Sequence, residues 1–203
     1  MCGKYLLNTG DLYKRYSIKT SLKDTPKLEP NYLCLPGSIH PVVINNDGKE
    51  IHLMKWGLIP SWAIDPKTGF KNINARSESI NIKPSFRRSF MKKRCLVPAS
   101  GFYEWKKEEG KKSTPYFIRL NAQETFSFAG LYESWINNEG NTILSYTIIT
   151  TRPNRIVEQI HERMPVIISL NQEDKWLDIN TKENELIASL SSYANDEMRI
   201  EKL

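Results

Sequence analysis

The sequence predicts an α+β fold: one domain with an antiparallel, barrel-like β core and peripheral helices. Three observations predict it. Short apolar runs, alternating or β-branched, recur between hairpin-length turns. Helical periods are few and brief. No internal repeat, low-complexity tract or linker divides the 203 residues, a length that suits a single core. Apolar residues make up 39% of the chain, with 5 Trp, 9 Tyr and 7 Phe, which excludes a disordered chain. No apolar run reaches a membrane span, so no membrane partner is expected. No basic-then-apolar leader opens the sequence. Three cysteines are too few for a disulfide scaffold of this size, so a cytoplasmic location is expected.

Taken in order, Thr9 can N-cap a helix over Gly10–Tyr16 that places Leu12, Tyr13 and Tyr16 on one side. Residues 19–38 read as irregular, broken by Pro26, Pro30, Pro36 and Gly37. Pro41–Ile44 and Ile51–Trp56 flank the turn residues Asn45-Asn46-Asp47-Gly48 and predict a hairpin. Gly57–Asn74, with Pro60, Pro66 and Gly69, reads as a long loop of the kind that carries function. Pro84 suits the first turn of a helix running to about Lys93, with Phe86 and Phe90 toward the core. Strands follow at Cys95–Val97, Gly101–Lys106, Tyr116–Leu120, Thr125–Leu131 and Ile143–Thr150. A short helix is expected from Asn154 to about Ile160, then a strand at Val166–Ser169. Two acidic helices, Gln172–Asp178 and Glu183–Ser191, close the chain. The expected organisation is a single domain over 1–203, with a motif-bearing core at 1–170 and an acidic helical segment at 171–203.

The formal charge of +6 is unevenly placed. Residues 171–203 carry −4, leaving +10 on residues 1–170. Between Ser79 and Tyr103 stand Lys83, Arg87, Arg88, Lys92, Lys93 and Arg94, with no acidic residue. Such a segment either attracts a polyanion, nucleic acid being the commonest, or forms a solvated helix face.

Four positions offer chemistry. Cys2 becomes N-terminal once Met1 is removed, which unites an α-amine of pKa about 7.7–8.0 with a thiol of about 8.5. That 1,2-aminothiol can act as an N-terminal nucleophile, or condense with an aldehyde to an imine that the thiol closes to a thiazolidine. With Met1 retained, the amine is an amide and this route is closed. Glu104 lies in Gly101-Phe102-Tyr103-Glu104-Trp105, where flanking aromatics would desolvate a carboxylate and raise its pKa. On a strand it shares a face with Phe102. His161, at an element boundary before an apolar strand, can serve as acid or base. Asn74, in Asn74-Ala75-Arg76-Ser77-Glu78, can orient a substrate or a terminal amine, and Arg76 offers a phosphate fork. Each also has a plain structural reading as a frayed terminus, an outward strand residue, a satisfied histidine or a cap. His40, His52 and His161 with Cys2, Cys34 and Cys95 lack zinc spacing. No nucleotide-binding glycine motif occurs, so neither a metal nor a cofactor is expected.

Together these motifs resemble the SRAP family, the SOS response-associated peptidases. The resemblance runs through Met1-Cys2-Gly3, Trp56-Gly57-Leu58-Ile59-Pro60-Ser61-Trp62, Asn74–Glu78, Arg94-Cys95-Leu96-Val97-Pro98-Ala99, Gly101–Trp105, Phe128-Ala129-Gly130-Leu131-Tyr132-Glu133, Thr150-Thr151 and His161-Glu162-Arg163-Met164-Pro165-Val166-Ile167. It implies the barrel-like α+β fold. It also implies an abasic-site sensor that binds single-stranded DNA and forms a thiazolidine crosslink through Cys2, protecting the site in the DNA damage response. By resemblance, Cys2, Asn74, Glu104 and His161 are catalytic, with Glu104 and His161 moving protons and Asn74 holding the terminal amine or the sugar. Arg76, Arg87 and Arg163 match positions that contact phosphates, Thr150 matches a nearby polar position, and Lys4 is counted with them as a DNA-binding residue. Trp62 and Pro36 are candidates for stacking or wedging against bases. Lys4 stands where the family usually has Arg, and Leu33-Cys34-Leu35-Pro36 lacks the Asn often found there. A monomer is expected, and protein partners are not legible in the sequence. Two alternatives stay open: a cysteine-type (auto)peptidase using Cys2, and a noncovalent binder of damaged or modified DNA.

Overall fold

The computed structural model describes residues 2–18, 26–110 and 112–203. Met1, whose removal the aminothiol chemistry requires, lies outside them, as do residues 19–25 of the stretch expected to be irregular. Along the chain run β1 (Tyr5–Asn8), α1 (Leu12–Arg15), β2 (Asn31–Cys34), β3 (Ile39–Asn45), β4 (Lys49–Trp56), β5 (Asn74–Arg76), α2 (Arg87–Lys92), β6 (Arg94–Ala99) and β7 (Gly101–Lys106). Then come β8 (Thr114–Leu120), β9 (Phe126–Ile136), β10 (Thr142–Thr151), β11 (Met164–Pro165), β12 (Ile167–Ile168), α3 (Glu173–Leu177), α4 (Glu183–Ala188) and β13 (Met198–Lys202).

Neighbouring strands β10-β4-β3-β6-β9 form a ring that β9 closes by pairing back onto β10. The expected barrel-like core is therefore present. It is not wholly antiparallel: β10 runs parallel to β4 and to β5. A second sheet, ordered β13-β8-β7-β1-β2 and antiparallel throughout, packs on it. Tyr5 joins the two layers edge-on to Trp56 and Phe128, with ring centroids 5.2 and 5.7 Å away. Its hydroxyl meets that of Tyr146 at 2.8 Å, so both buried polar tips are satisfied.

The β3–β4 hairpin forms as expected, pairing Asn45 with Lys49 across Asp47 (φ 54°) and Gly48 (φ 141°). Four expectations are corrected. β1 and β2 are strands that the pattern did not announce. Each is four residues long, and β2 sits between proline-broken segments, so no period is visible. The helix expected from Pro84 begins only at Arg87, because turns occupy the residues after Pro84. The helix expected over Asn154–Ile160 is a single 3-10 turn, Val157–Gln159. The acidic C-terminal segment is not only helical, since Met198–Lys202 forms β13 against β8.

Loop 57–73 is pinned at its neck. Gly57 adopts φ 124°, and a Cβ there would lie 2.8 Å from the Gly69 carbonyl oxygen, so side chains are excluded from this crossing. Ile59, Ala63 and Trp135 form a small apolar cluster beneath the loop. The Trp135 indole donates to the Ala63 carbonyl at 2.7 Å. Among the described residues no helix is long and apolar enough to cross a membrane.

Candidate active site

The approaches to β1 and β11, together with β5 and β7, bring the four chemical positions together. Cys2 enters just before β1 and is fully buried. The Tyr103 N–H donates to the Lys4 carbonyl at 3.0 Å, which carries the β1–β7 pairing back toward Cys2. Asn74 opens β5, held parallel to β10 opposite Ile148. Its Nδ2 donates to the Cys2 carbonyl at 2.8 Å. Its Oδ1 is buried without a hydrogen-bond donor among the described residues, an acceptor placed beside the chain's second residue.

Glu104 lies on the inward face of β7 with Phe102, at 2% exposure. Burial pushes its carboxyl up to about 7, because removing the charged form from water is costly. His161 Nε2 stands 4.0 Å from Glu104 Oε2. The Arg163 N–H donates to His161 Nδ1 at 3.0 Å, and the Arg163 carbonyl lies 3.2 Å from the same nitrogen. With Nδ1 bare the ring accepts from the N–H; with a proton on Nδ1 it donates to the carbonyl. Burial lowers the His161 pKa and so favours the neutral ring, and the Arg163 N–H directed at Nδ1 favours the tautomer with its proton on Nε2, toward Glu104. The Cys2 thiol is pushed far above its ordinary range, by burial first and by the Glu104 carboxylate second. Near neutrality it is therefore a thiol that needs a base.

The expected DNA contacts divide into exposed and internal groups. Lys4 Nζ lies 4.5 Å from the Tyr103 ring centroid and 6.0 Å from that of Trp105, a cation over an aromatic wall. Arg76 is exposed at the end of β5. Trp62 is 63% exposed on the pinned loop. Pro36 is half-buried in the β2–β3 turn. That turn is tied to β4 by the Gly37 N–H to Trp56 carbonyl bond of 2.8 Å. Arg87 is exposed, but it stands on α2 against β6 and β9, strands that carry none of the four site residues. Thr150 is fully buried and Arg163 is 8% exposed. The Arg163 guanidinium donates to both Glu78 oxygens, at 2.5 and 2.9 Å, and to the Thr150 carbonyl at 2.6 Å.

Two features were missed in the sequence. One is Glu78, partner to an arginine 85 positions away, a pairing that no local pattern signals. The other is a cleft of about 570 Å³ beside His161, lined by Lys106, Lys107, Arg152 and Glu158. Lys106 was legible in part, since it follows Glu104 by two on the same strand face. Among the described residues no group of three or more His, Cys, Asp or Glu could hold a metal ion.

The profile of the SOS response associated peptidase (SRAP) family matches residues 1–203. The chain is 43% identical over 203 residues to YoqW of Bacillus subtilis, named an abasic site processing protein, covering 98% of this chain and 90% of that one. It is 34% identical over 187 residues to the abasic site processing protein HMCES of Xenopus tropicalis, covering 76% of this chain and 56% of that one. A crystal structure of a protein from Bacteroides thetaiotaomicron superposes with a TM-score of 0.86 at 28% identity, over 100% of this chain and 90% of that one.

Proposed function

Because the chain belongs to the SRAP family, we infer that it processes abasic sites in DNA, binding them in single strands and linking to them covalently through Cys2 after Met1 is lost. The observation that supports this most is the convergence at the chain's second residue. Asn74 holds the Cys2 carbonyl, the Glu104 carboxylate adds to burial in raising the pKa of its thiol, and His161 stands 4.0 Å from Glu104.

The chemistry follows from these groups. An abasic deoxyribose must open from hemiacetal to aldehyde before an amine can attack. A carboxyl of pKa about 7 can donate a proton at one step and accept one at another near neutrality. Glu104 protonates the ring oxygen as the C1′ hydroxyl loses its proton, with His161 able to relay it. The Cys2 α-amine adds to C1′, and the carbinolamine loses one water to give an imine. The thiol then adds across the imine: the Sγ–C1′ bond forms, the thiol proton passes to the Glu104 carboxylate, and the nitrogen gains a proton. Asn74 Oδ1 is the acceptor available to the amine N–H. Half-buried Lys4 and exposed Arg76 supply cations, and exposed Trp62 a stacking surface, for a strand. Cytoplasmic action as a monomer completes the reading.

Mixing Met1-processed protein with a single-stranded oligonucleotide carrying one abasic site tests it. A denaturation-resistant adduct should form with the wild type and be absent with Cys2→Ala. Equal yields of the same adduct from both proteins would sink the proposal.

A further inference from the structure

Resting on the reading above, we propose that Glu78 is a positioning residue: its two-pronged ion pair with Arg163 fixes the His161 ring against Glu104. An exposed ion pair is ordinarily worth little, but this one differs in three respects. Arg163 is 8% exposed, so its charge must be compensated where it lies. Both carboxylate oxygens of Glu78 engage it, the geometry that restrains a guanidinium most. A third bond, to the Thr150 carbonyl, ties the same group to β10. Among the described residues no other carboxylate pairs with Arg163.

The anchorage reaches His161 through the backbone. The Arg163 N–H is the donor to His161 Nδ1, at 3.0 Å. With residue 163 locked by its side chain, that N–H keeps the ring in the tautomer with its proton on Nε2, the nitrogen that faces Glu104. A tautomer fixed by the hydrogen bond at the other ring nitrogen is a general device. Segment 74–78 thus grips both reacting sides. Asn74 holds Cys2 at one end, and Glu78 holds Arg163, and through it His161, at the other. Between them Arg76 is paired in the sheet with Thr150, the residue whose carbonyl receives Arg163. Arg163, expected to meet DNA phosphate, is accordingly engaged inside the protein.

The test uses the full Met1-processed chain with Glu78→Ala and Glu78→Gln. Three readouts apply: the single-turnover rate of adduct formation at saturating abasic DNA, affinity for an oligonucleotide carrying an unreactive tetrahydrofuran site, and the ring-nitrogen NMR shifts of His161. Glu78→Ala should slow the saturating rate about tenfold or more, part of what general acid–base catalysis supplies. Affinity should stay within about twofold, the signature of a step lost after binding. The His161 signals should move from one tautomer to a mixture. Glu78→Gln keeps an acceptor for one prong and should lie between wild type and Ala, and it decides the matter if the Ala variant does not fold. Unchanged rate and ring signals overturn the proposal. So does tighter binding at an unchanged saturating rate, which would make Glu78 a competitor of DNA phosphate instead. The NMR readout needs no DNA, so it tests Glu78 even if the wild type forms no adduct, an outcome that would sink the functional reading and not this one.

Discussion

The reaction site and the basic segment between Ser79 and Tyr103 both attract notice in the sequence, and the fold treats them in opposite ways. The site gathers four residues from distant parts of the chain, Cys2 and Glu104 buried and Asn74 and His161 half-buried, and sets their polar groups beside one another. The basic segment is contiguous, yet its six cations do not act as one surface. Arg94 is 5% exposed and donates to the carbonyls of Phe90, Met91, Trp176 and Asp178 at 2.7–2.8 Å. It ties α2, β6 and α3 together. Lys93 pairs with buried Glu133. Lys83, Arg87, Arg88 and Lys92 remain exposed. Charge in sequence counts cations without saying which face solvent. A site is defined by what its groups bond to.

Four measurements sharpen or break that contrast. The largest effect is expected within the site. Glu104→Gln should slow adduct formation by about 10²–10⁴, the range for a lost acid–base group, measured in single turnover at saturating DNA. A change under about threefold would remove Glu104 from the chemistry.

Arg94→Ala comes next and acts on stability. It strands four carbonyls and should cost about 3–5 kcal/mol, the scale for breaking a buried charged network. Urea denaturation measures this, and the adduct rate of the remaining folded protein should be unchanged. A large rate loss at unchanged stability would make Arg94 a DNA contact after all.

The third effect is the stability effect of Glu104. Its pKa is raised from an ordinary 4.5 to about 7. The folded state therefore favours the protonated carboxyl, and the associated stability is present below pH 4.5 and lost as pH rises to 7. At about 1.36 kcal/mol per pKa unit this amounts to about 3 kcal/mol. Glu104→Gln should match wild type at pH 4 and exceed it at pH 8 by that order, read from denaturant midpoints. Parallel pH profiles for the two proteins would contradict the burial argument.

The smallest effect belongs to the exposed cations. Arg87→Ala with Arg88→Ala should reduce affinity for single-stranded DNA a few-fold, and lower the salt slope by about 0.7 for each phosphate no longer neutralised. An unchanged slope would leave both as a solvated helix face.

The sequence made much of this legible where the signal was local. Alternation in Gly101–Lys106 put Glu104 on one face with Phe102, leaving burial to show that this face is the inward one, and turn residues at Asn45–Gly48 announced the β3–β4 hairpin. Motif order named Cys2, Asn74, Glu104 and His161 together. What escaped was set by contacts far apart in the chain. β1 and β2 are too short to show a period, and they exist because each pairs with the other and β1 also pairs with β7. β13 is a strand because β8 offers it an edge. Arg163 looks in sequence like any phosphate-binding arginine, and only Glu78, 85 residues earlier, reveals its engagement.

The most direct test of the central claim is the intact mass of the protein after incubation with an abasic single-stranded oligonucleotide. The expected product has the mass of the chain without Met1 plus the oligonucleotide minus one water, and the linkage maps to Cys2. A Met1-processed chain that stays at its free mass, or that is linked at a residue other than Cys2, would contradict the account.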